Sequence, residues 1–151
     1  MLSITLEDQV SPALKKLIAD MPKVIDHILR VMGEDYMGYV KSRYLSGQVL
    51  KKVTGELIGR YKIKKERKNV YSVYPGTLGY VNIFERGGII RPKEKKVLRF
   101  YIQGKPVFAK QVYIRPRPFI GPSAKDYASS GKGMRKARQI IDMEITKRGL
   151  G

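Results

Sequence analysis

The apolar positions of the first 47 residues change their period along the chain. Residues 2–6 alternate between apolar and polar side chains, which predicts a half-buried strand. Residues 11–19 begin with a serine N-cap and a proline at the first helical position, so a short helix is expected there. A second, longer helix is expected from Pro22 to about Leu45, because its apolar residues recur at spacings of three and four. Gly47 is expected to end it.

The helical period is lost after residue 48. Residues 54–57 predict a turn that enters a short helical turn. Two strands are expected at 61–63 and 70–74, joined by a charged tip. The apolar segment 81–84 fits either a strand or a helical turn, and the glycine pair at 87–88 breaks it.

The second half of the chain alternates between loops and short strands. Residues 89–96 are basic and contain a proline, which predicts a loop. A hairpin is expected from 97–102 and 107–114, with its turn at 103–106. Three prolines between 116 and 122 exclude regular sheet. Residues 123–148 are weakly helical, with a break at 129–133 that is expected to be a flexible linker.

Together these elements predict an α+β domain, with N-terminal helices packed on a mainly antiparallel sheet of four to five strands and a C-terminal helix. One domain is expected over residues 1–151. Residues 1–47 would form a strand plus helices, and 48–118 a sheet with a long basic loop. Residues 119–151 would form the C-terminal helix.

Charge adds a strong asymmetry to this picture. The formal net charge is +18, and residues 41–118 contain 20 basic and 4 acidic residues. A segment this basic needs acidic partners, and nucleic acid and an acidic protein neighbour are the two candidates. The chain has no cysteine, no apolar run of about 18 residues, and a first segment unlike a signal peptide. We therefore expect it to stay in a cytosol until it is assembled, without membrane partners.

Three patterns suggest enzymatic chemistry, and each has a simpler explanation. His27 is the single histidine, and no Gly-x-Ser-x-Gly turn accompanies it, so a surface position is favoured over a catalytic one. Residues 130–133 lack the spacing of a phosphate-binding loop. Glu66-Arg67-Lys68 and Glu94-Lys95-Lys96 resemble the acid–lysine pairs of metal-dependent nucleases, but no aspartate lies between Asp35 and Asp126. No enzyme activity, cofactor or metal is expected.

Non-specific nucleic-acid binding is the stronger alternative function. The basic run at 62–68 is interleaved with tyrosines, a combination that can contact phosphates and stack on bases. No sequence-reading motif accompanies it. The residues that we expect to face DNA, free or in the lumen of an assembly, are Lys62, Lys64, Lys65, Arg67, Lys68, Lys93, Lys95 and Lys96.

The region from Ser46 to Pro122 carries a characteristic order of motifs. They are Ser46–Leu50, Thr54–Leu57, the aromatic segment Tyr80–Pro92 with its double glycine, Val97–Phe100, Phe108–Lys110 and the proline-rich corner Ile114–Pro122. This order resembles the phage virion morphogenesis family, also called tail completion proteins, which is related to head–tail joining and minor tail proteins. Val81 stands where that family usually has alanine, and Arg86 where phenylalanine is common.

The resemblance implies a structural protein of a tailed bacteriophage, in the neck or at the tail terminus. It would form a ring, expected to be a hexamer, that contacts connector and tail tube proteins and through which DNA passes. Ring subunits meet through heterologous surfaces. The expected contacts with the next subunit are Gly87, Gly88, Arg91, Pro92, Arg115 and Arg117. At the corner, Pro116 and Pro118 should direct Phe119 into the core and leave both arginines outside.

Overall fold

The computed structural model describes residues 10–47, 55–76 and 79–150. The strand expected at residues 2–6 lies outside this part of the chain. The class is α+β, as the sequence predicts: a long N-terminal helix and two C-terminal helices accompany short antiparallel strands.

The N-terminal region forms one helix, α1, from Val10 to Arg43. The prediction of two helices separated before Pro22 is therefore wrong. Proline cannot donate its backbone N–H inside a helix, which weakens one turn. The turns that follow are held by tertiary packing, because Val24 and Ile28 are buried against Ile140 of the C-terminal helix. This packing explains how the helix continues through the proline.

Ten shorter elements follow α1 in the described part of the chain. They are α2 (Glu56–Arg60), β1 (Lys62–Arg67), β2 (Val70–Tyr74), α3 (Val81–Arg86), β3 (Gly88–Ile90), β4 (Leu98–Ile102), β5 (Lys105–Ala109), β6 (Val112–Ile114), α4 (Ile120–Ser129) and α5 (Lys132–Lys147). None of the described helices is apolar over a stretch long enough to cross a membrane.

The six described strands form three separate antiparallel pairs, whereas one sheet of four to five strands was expected. Two pairs are the predicted hairpins, β1–β2 and β4–β5. The third joins β3 to β6, with Gly88 opposite Ile114. Ile89 and Ile90 therefore belong to a strand and not to the predicted loop. The predicted strand 107–114 is divided, because β5 pairs with β4 and β6 pairs with β3.

The main core lies between α1, α3 and the segment that enters α4. Val40 near the end of α1, and Tyr44 and Leu45 just after it, pack with Tyr61, Val81 and Phe119. Phe119 is 0% exposed, and its ring centroid lies 6.5 Å from that of Tyr61. The prediction that Phe119 enters the core is thus confirmed, and Arg115 and Arg117 are exposed as expected.

The entry to α4 is fixed by a carboxylate from α3. Oε1 of Glu85 accepts the backbone N–H groups of Phe119 and Ile120 at 2.8 and 2.9 Å. Phe119 is the N-cap residue of α4 and Ile120 is its first residue, so neither N–H has an acceptor within the helix. The backbone N–H of Arg117 also donates to the carbonyl of Phe84 at 2.6 Å. The corner is therefore attached to α3 on both sides of Pro118.

Candidate functional site

The first candidate surface is the outer face of the β3–β6 pair. Ile89 lies opposite Tyr113 in the ladder, and their side chains are 52% and 64% exposed. Beyond them, Arg91 Nε donates to Gln111 Oε1 at 3.3 Å, and Arg115 follows on the same side of the alternation. We call these five residues the β3–β6 face. It places an apolar pair between two arginines.

The other side of the same pair turns inward. Ile90, Val112 and Ile114 are half-buried, and they alternate with the exposed residues of the β3–β6 face. Strand alternation therefore explains which side chains reach solvent. Within the described residues, β3 pairs only with β6, so each strand of this pair keeps one edge free of a described neighbour.

The predicted interface residues gather around this pair but have different roles. Arg91 and Arg115 belong to the β3–β6 face, while Pro92 is half-buried beside it. Gly87 ends α3 with a φ of 71°, and a Cβ there would lie 2.8 Å from Pro116 Cδ. Gly88 starts the ladder. The two glycines thus let the chain pass from α3 into β3 beside the corner, and this role is internal to the chain.

The second candidate surface is the outer face of the β4–β5 hairpin. Arg99 lies opposite Phe108 and Tyr101 opposite Pro106, so these four residues, which we call the β4–β5 face, share one side. Tyr101 and Phe108 are each 61% exposed. The guanidinium of Arg99 lies 5.4 Å from the Tyr101 ring centroid and 5.9 Å from that of Phe108. Arg99 Nη2 also donates to the Tyr101 hydroxyl at 2.7 Å.

The basic residues around these surfaces lack internal counter-charges. Residues 91–117 contain nine basic residues and one acidic residue, Glu94. Every salt bridge recorded for the described residues lies outside this segment. Several carboxylates elsewhere already have partners: Asp35 and Asp126 accept tyrosine hydroxyls, for example. The segment, which includes the predicted DNA-facing Lys93, Lys95 and Lys96, is therefore an uncompensated cationic surface.

The predicted DNA-facing residues of the β1–β2 hairpin are all exposed but are not equivalent. Lys65 Nζ lies 2.7 Å from Asp26 Oδ2 of α1, and the Tyr71 hydroxyl donates to the same oxygen at 3.0 Å. The hydrogen bond from Lys65 lowers the pKa of Asp26, and the pKa of Lys65 is raised in turn. Lys65 thus attaches the hairpin to α1.

The other cations of this hairpin form no ion pair with α1. Lys64 Nζ pairs with Glu66 Oε2 at 3.0 Å along the same strand. The remaining three are exposed and form no ion pair with a described residue: Lys62, Arg67 and Lys68.

The residues considered for catalysis are not brought together. His27 is exposed on α1 with its Nδ1 3.4 Å from Arg30 Nη2. Glu66 lies in β1, where Lys64 pairs with it, whereas Glu94 lies in the loop before β4. Across residues 10–47, 55–76 and 79–150, no three His, Cys, Asp or Glu residues form a group that could hold a metal ion.

The segment at 130–133 is a tight corner and not a flexible linker. Gly131 adopts a φ of 65° and the next residue begins α5. Gly133 is buried, and a Cβ there would lie 2.9 Å from Met32 Cε and 3.3 Å from Tyr127 Cε1. Its glycines therefore permit close packing of α5 on α1.

Sequence patterns did not single out Glu85 or the exposed aromatic residues of the two strand faces. The contacts of Glu85 join residues more than 30 positions apart, and the exposed rings stood in segments expected to be ordinary strands. Comparison with protein-family models, with curated proteins and with solved structures gives no significant match. The family resemblance therefore stays a prediction.

Proposed function

We propose that this chain is a structural virion protein of a tailed bacteriophage, a ring component of the neck or the tail terminus that acts in assembly. The order of motifs from Ser46 to Pro122 suggests this class of protein. The observation that carries the proposal is the β3–β6 face, because Ile89 and Tyr113 expose large apolar side chains at the place where the resemblance puts subunit contacts. Exposed apolar groups framed by charges are typical of protein interfaces.

The neighbouring subunit would bury Ile89 and Tyr113 and pair with the flanking arginines. The free edges of β3 and β6 offer backbone N–H and C=O groups to an added strand, which is a common mode of association. A ring needs a second, different surface on each subunit. The exposed apolar row along α1 is the candidate for it: Leu14, Ile18, Met21 and Ile25.

The cationic segment would then face the lumen of the ring. DNA that passes through a ring meets the same side chains from every subunit, so weak phosphate contacts add up without sequence specificity. The partners proposed beside the ring are connector and tail tube proteins, and the place of action is the virion after synthesis in the host cytoplasm.

Self-assembly of designed variants tests the proposal. Light scattering after size-exclusion chromatography and negative-stain electron microscopy should reveal closed rings of the wild-type chain, alone or with its neck and tail partners. Ile89→Asp and Tyr113→Asp should leave monomers with an unchanged circular dichroism spectrum. The matched control is Met143→Asp, since Met143 is 61% exposed on α5, far from the β3–β6 face in sequence.

Two results would contradict the proposal. One is a wild-type chain that stays monomeric at all concentrations and with every neck and tail protein. The other is magnesium-dependent cleavage of plasmid DNA that disappears in Glu66→Ala or Glu94→Ala, because a nuclease would then be the better description.

A further inference from the structure

We infer that the β4–β5 face is a binding site for single-stranded nucleic acid, in which Tyr101 and Phe108 stack on bases and Arg99 contacts phosphate. This site goes beyond the proposed assembly role and does not depend on it. It uses a different strand pair from the β3–β6 face, so a failure of ring assembly would leave the inference untouched.

The first support is the arrangement of the two rings. Tyr101 and Phe108 lie on neighbouring strands at diagonal positions of the ladder, which places such side chains roughly 7–8 Å apart at their bases. Both are 61% exposed. The other side of the hairpin carries the half-buried Leu98, Phe100 and Val107, together with Ile102, which is 54% exposed. The two aromatic side chains therefore stand on the more exposed side of the hairpin.

The second support is the cation between the rings. Arg99 lies within 6 Å of both ring centroids, close enough for cation–π attraction, and it hydrogen-bonds to the Tyr101 hydroxyl. It has no carboxylate partner among the described residues. A guanidinium placed beside two stacking rings matches a nucleotide, which offers a planar base and an anionic phosphate a few ångströms apart.

The third support is the charge of the surrounding segment. The hairpin and its flanks carry nine basic residues against Glu94, and Lys105 and Lys110 lie at the two ends of β5. Such a surface attracts a polyanion, and binding releases the counterions that are condensed on the polyanion.

The exposed rings of Tyr101 and Phe108 distinguish between the candidate polyanions. The bases of a duplex are stacked on one another and offer no free face to Tyr101 or Phe108, whereas those of a single strand do. The carboxylates of an acidic polypeptide would pair with the lysines but offer no aromatic face to the two exposed rings. A single strand uses both features at once.

Fluorescence anisotropy with a labelled single strand of about 12 nucleotides, a length within the usual site size, tests the inference. A duplex of the same length and labelled polyglutamate serve as the other probes. The wild-type chain should bind the single strand more tightly than either. Tyr101→Ala and Phe108→Ala should each weaken single-strand binding by about fivefold or more, and duplex binding by less than twofold. Tyr101→Phe, which keeps the ring, should retain most of the affinity.

Met143→Ala is the matched control, because Met143 is an apolar residue of the same exposure, 61%, that lies on α5 and outside both strand faces. It should change single-strand binding by less than twofold. Photocrosslinking of the wild-type chain to a halogenated single strand gives a readout that needs no variant. Mass spectrometry should then place the crosslink on Tyr101 or Phe108.

Three outcomes would overturn the inference. The first is equal affinity for single strand and duplex with no effect of the ring variants, which would mean binding by charge alone. The second is tighter binding of polyglutamate than of either nucleic acid, which would assign the face to an acidic protein. The third is crosslinks confined to residues outside the β4–β5 hairpin.

Discussion

Truncation of Phe119 to alanine should be among the most damaging single changes in this chain. Phe119 is 0% exposed and packs with residues from three elements: α1, α3 and the segment that holds Tyr61. These neighbours are fixed by other contacts, since Glu85 of α3 accepts the N–H of Phe119 itself. The cavity left by the ring can therefore close only in part.

The size of the effect follows from that packing. A buried phenylalanine replaced by alanine costs about 3–5 kcal/mol, the sum of lost transfer energy and the cavity. Domains of this size have a total free energy of unfolding of about 5–15 kcal/mol. Each kcal/mol lowers the melting temperature by roughly 2–4 °C at this chain length. We expect a decrease of about 6–20 °C.

Urea denaturation followed by circular dichroism measures this free energy directly. The control is the double variant Arg115→Ala, Arg117→Ala, because both side chains are exposed at the same corner and neither forms a salt bridge with a described residue. It should shift the free energy of unfolding by less than about 1 kcal/mol. The reasoning would be refuted if the arginine pair unfolded the chain while Phe119→Ala cost less than about 1 kcal/mol.

Three further changes test the contacts around the core. Glu85→Ala should lower the free energy of unfolding by about 1–2 kcal/mol in urea titrations, because two backbone N–H groups lose their acceptor, and Glu85→Gln should recover part of it. The lowered pKa of Asp26 means that its contact with Lys65 stabilises the fold above pH about 4 and is lost as pH falls through the folded pKa. In Asp26→Asn the free energy of unfolding should therefore decrease less steeply with falling pH than in the wild-type chain. An equal decrease in both proteins would argue against the contact. The Asp126 carboxylate raises the pKa of Tyr44 to about 12, so this contact is complete below pH about 10 and lost as pH rises through 12. Tyr44→Phe should therefore lose less stability in that range, and its tyrosinate absorbance titration should lack the step near pH 12.

Local patterns were sufficient to predict elements whose partners are near in sequence. The β1–β2 and β4–β5 hairpins and the α4–α5 break follow from short segments. The burial of Phe119 was predicted from the two prolines before it, although its core partners Val40, Tyr61 and Val81 lie far away in sequence. The β3–β6 pair does not, since strands of three residues separated by a whole hairpin leave no periodic signal. Neither does the continuity of α1, because the packing of Val24 and Ile28 on Ile140 overrides the local effect of Pro22.

The candidate surfaces were predictable only in their charge. Composition located the basic segment and the arginines near the corner. The alternation of apolar and polar residues along one strand does not determine which side faces solvent when the partner strand is unknown. Exposure of Tyr101, Phe108 and Tyr113 depends on which strand each residue pairs with. The attachment of Lys65 to Asp26 similarly joins residues 39 positions apart.

Residues 91–111 leave and re-enter the domain at one place, where the β3–β6 ladder holds Ile90 against Val112. The β4–β5 hairpin is thus an arm whose two ends are anchored side by side. Its turn has positive φ at both Gln103 (50°) and Gly104 (77°), as a type I′ hairpin turn requires. Insertions, deletions and substitutions in such an arm need not shift the corner at Phe119, because closing a longer loop costs little entropy. Closely related chains should therefore diverge most in this arm, where ligand choice can change while the remaining architecture stays the same.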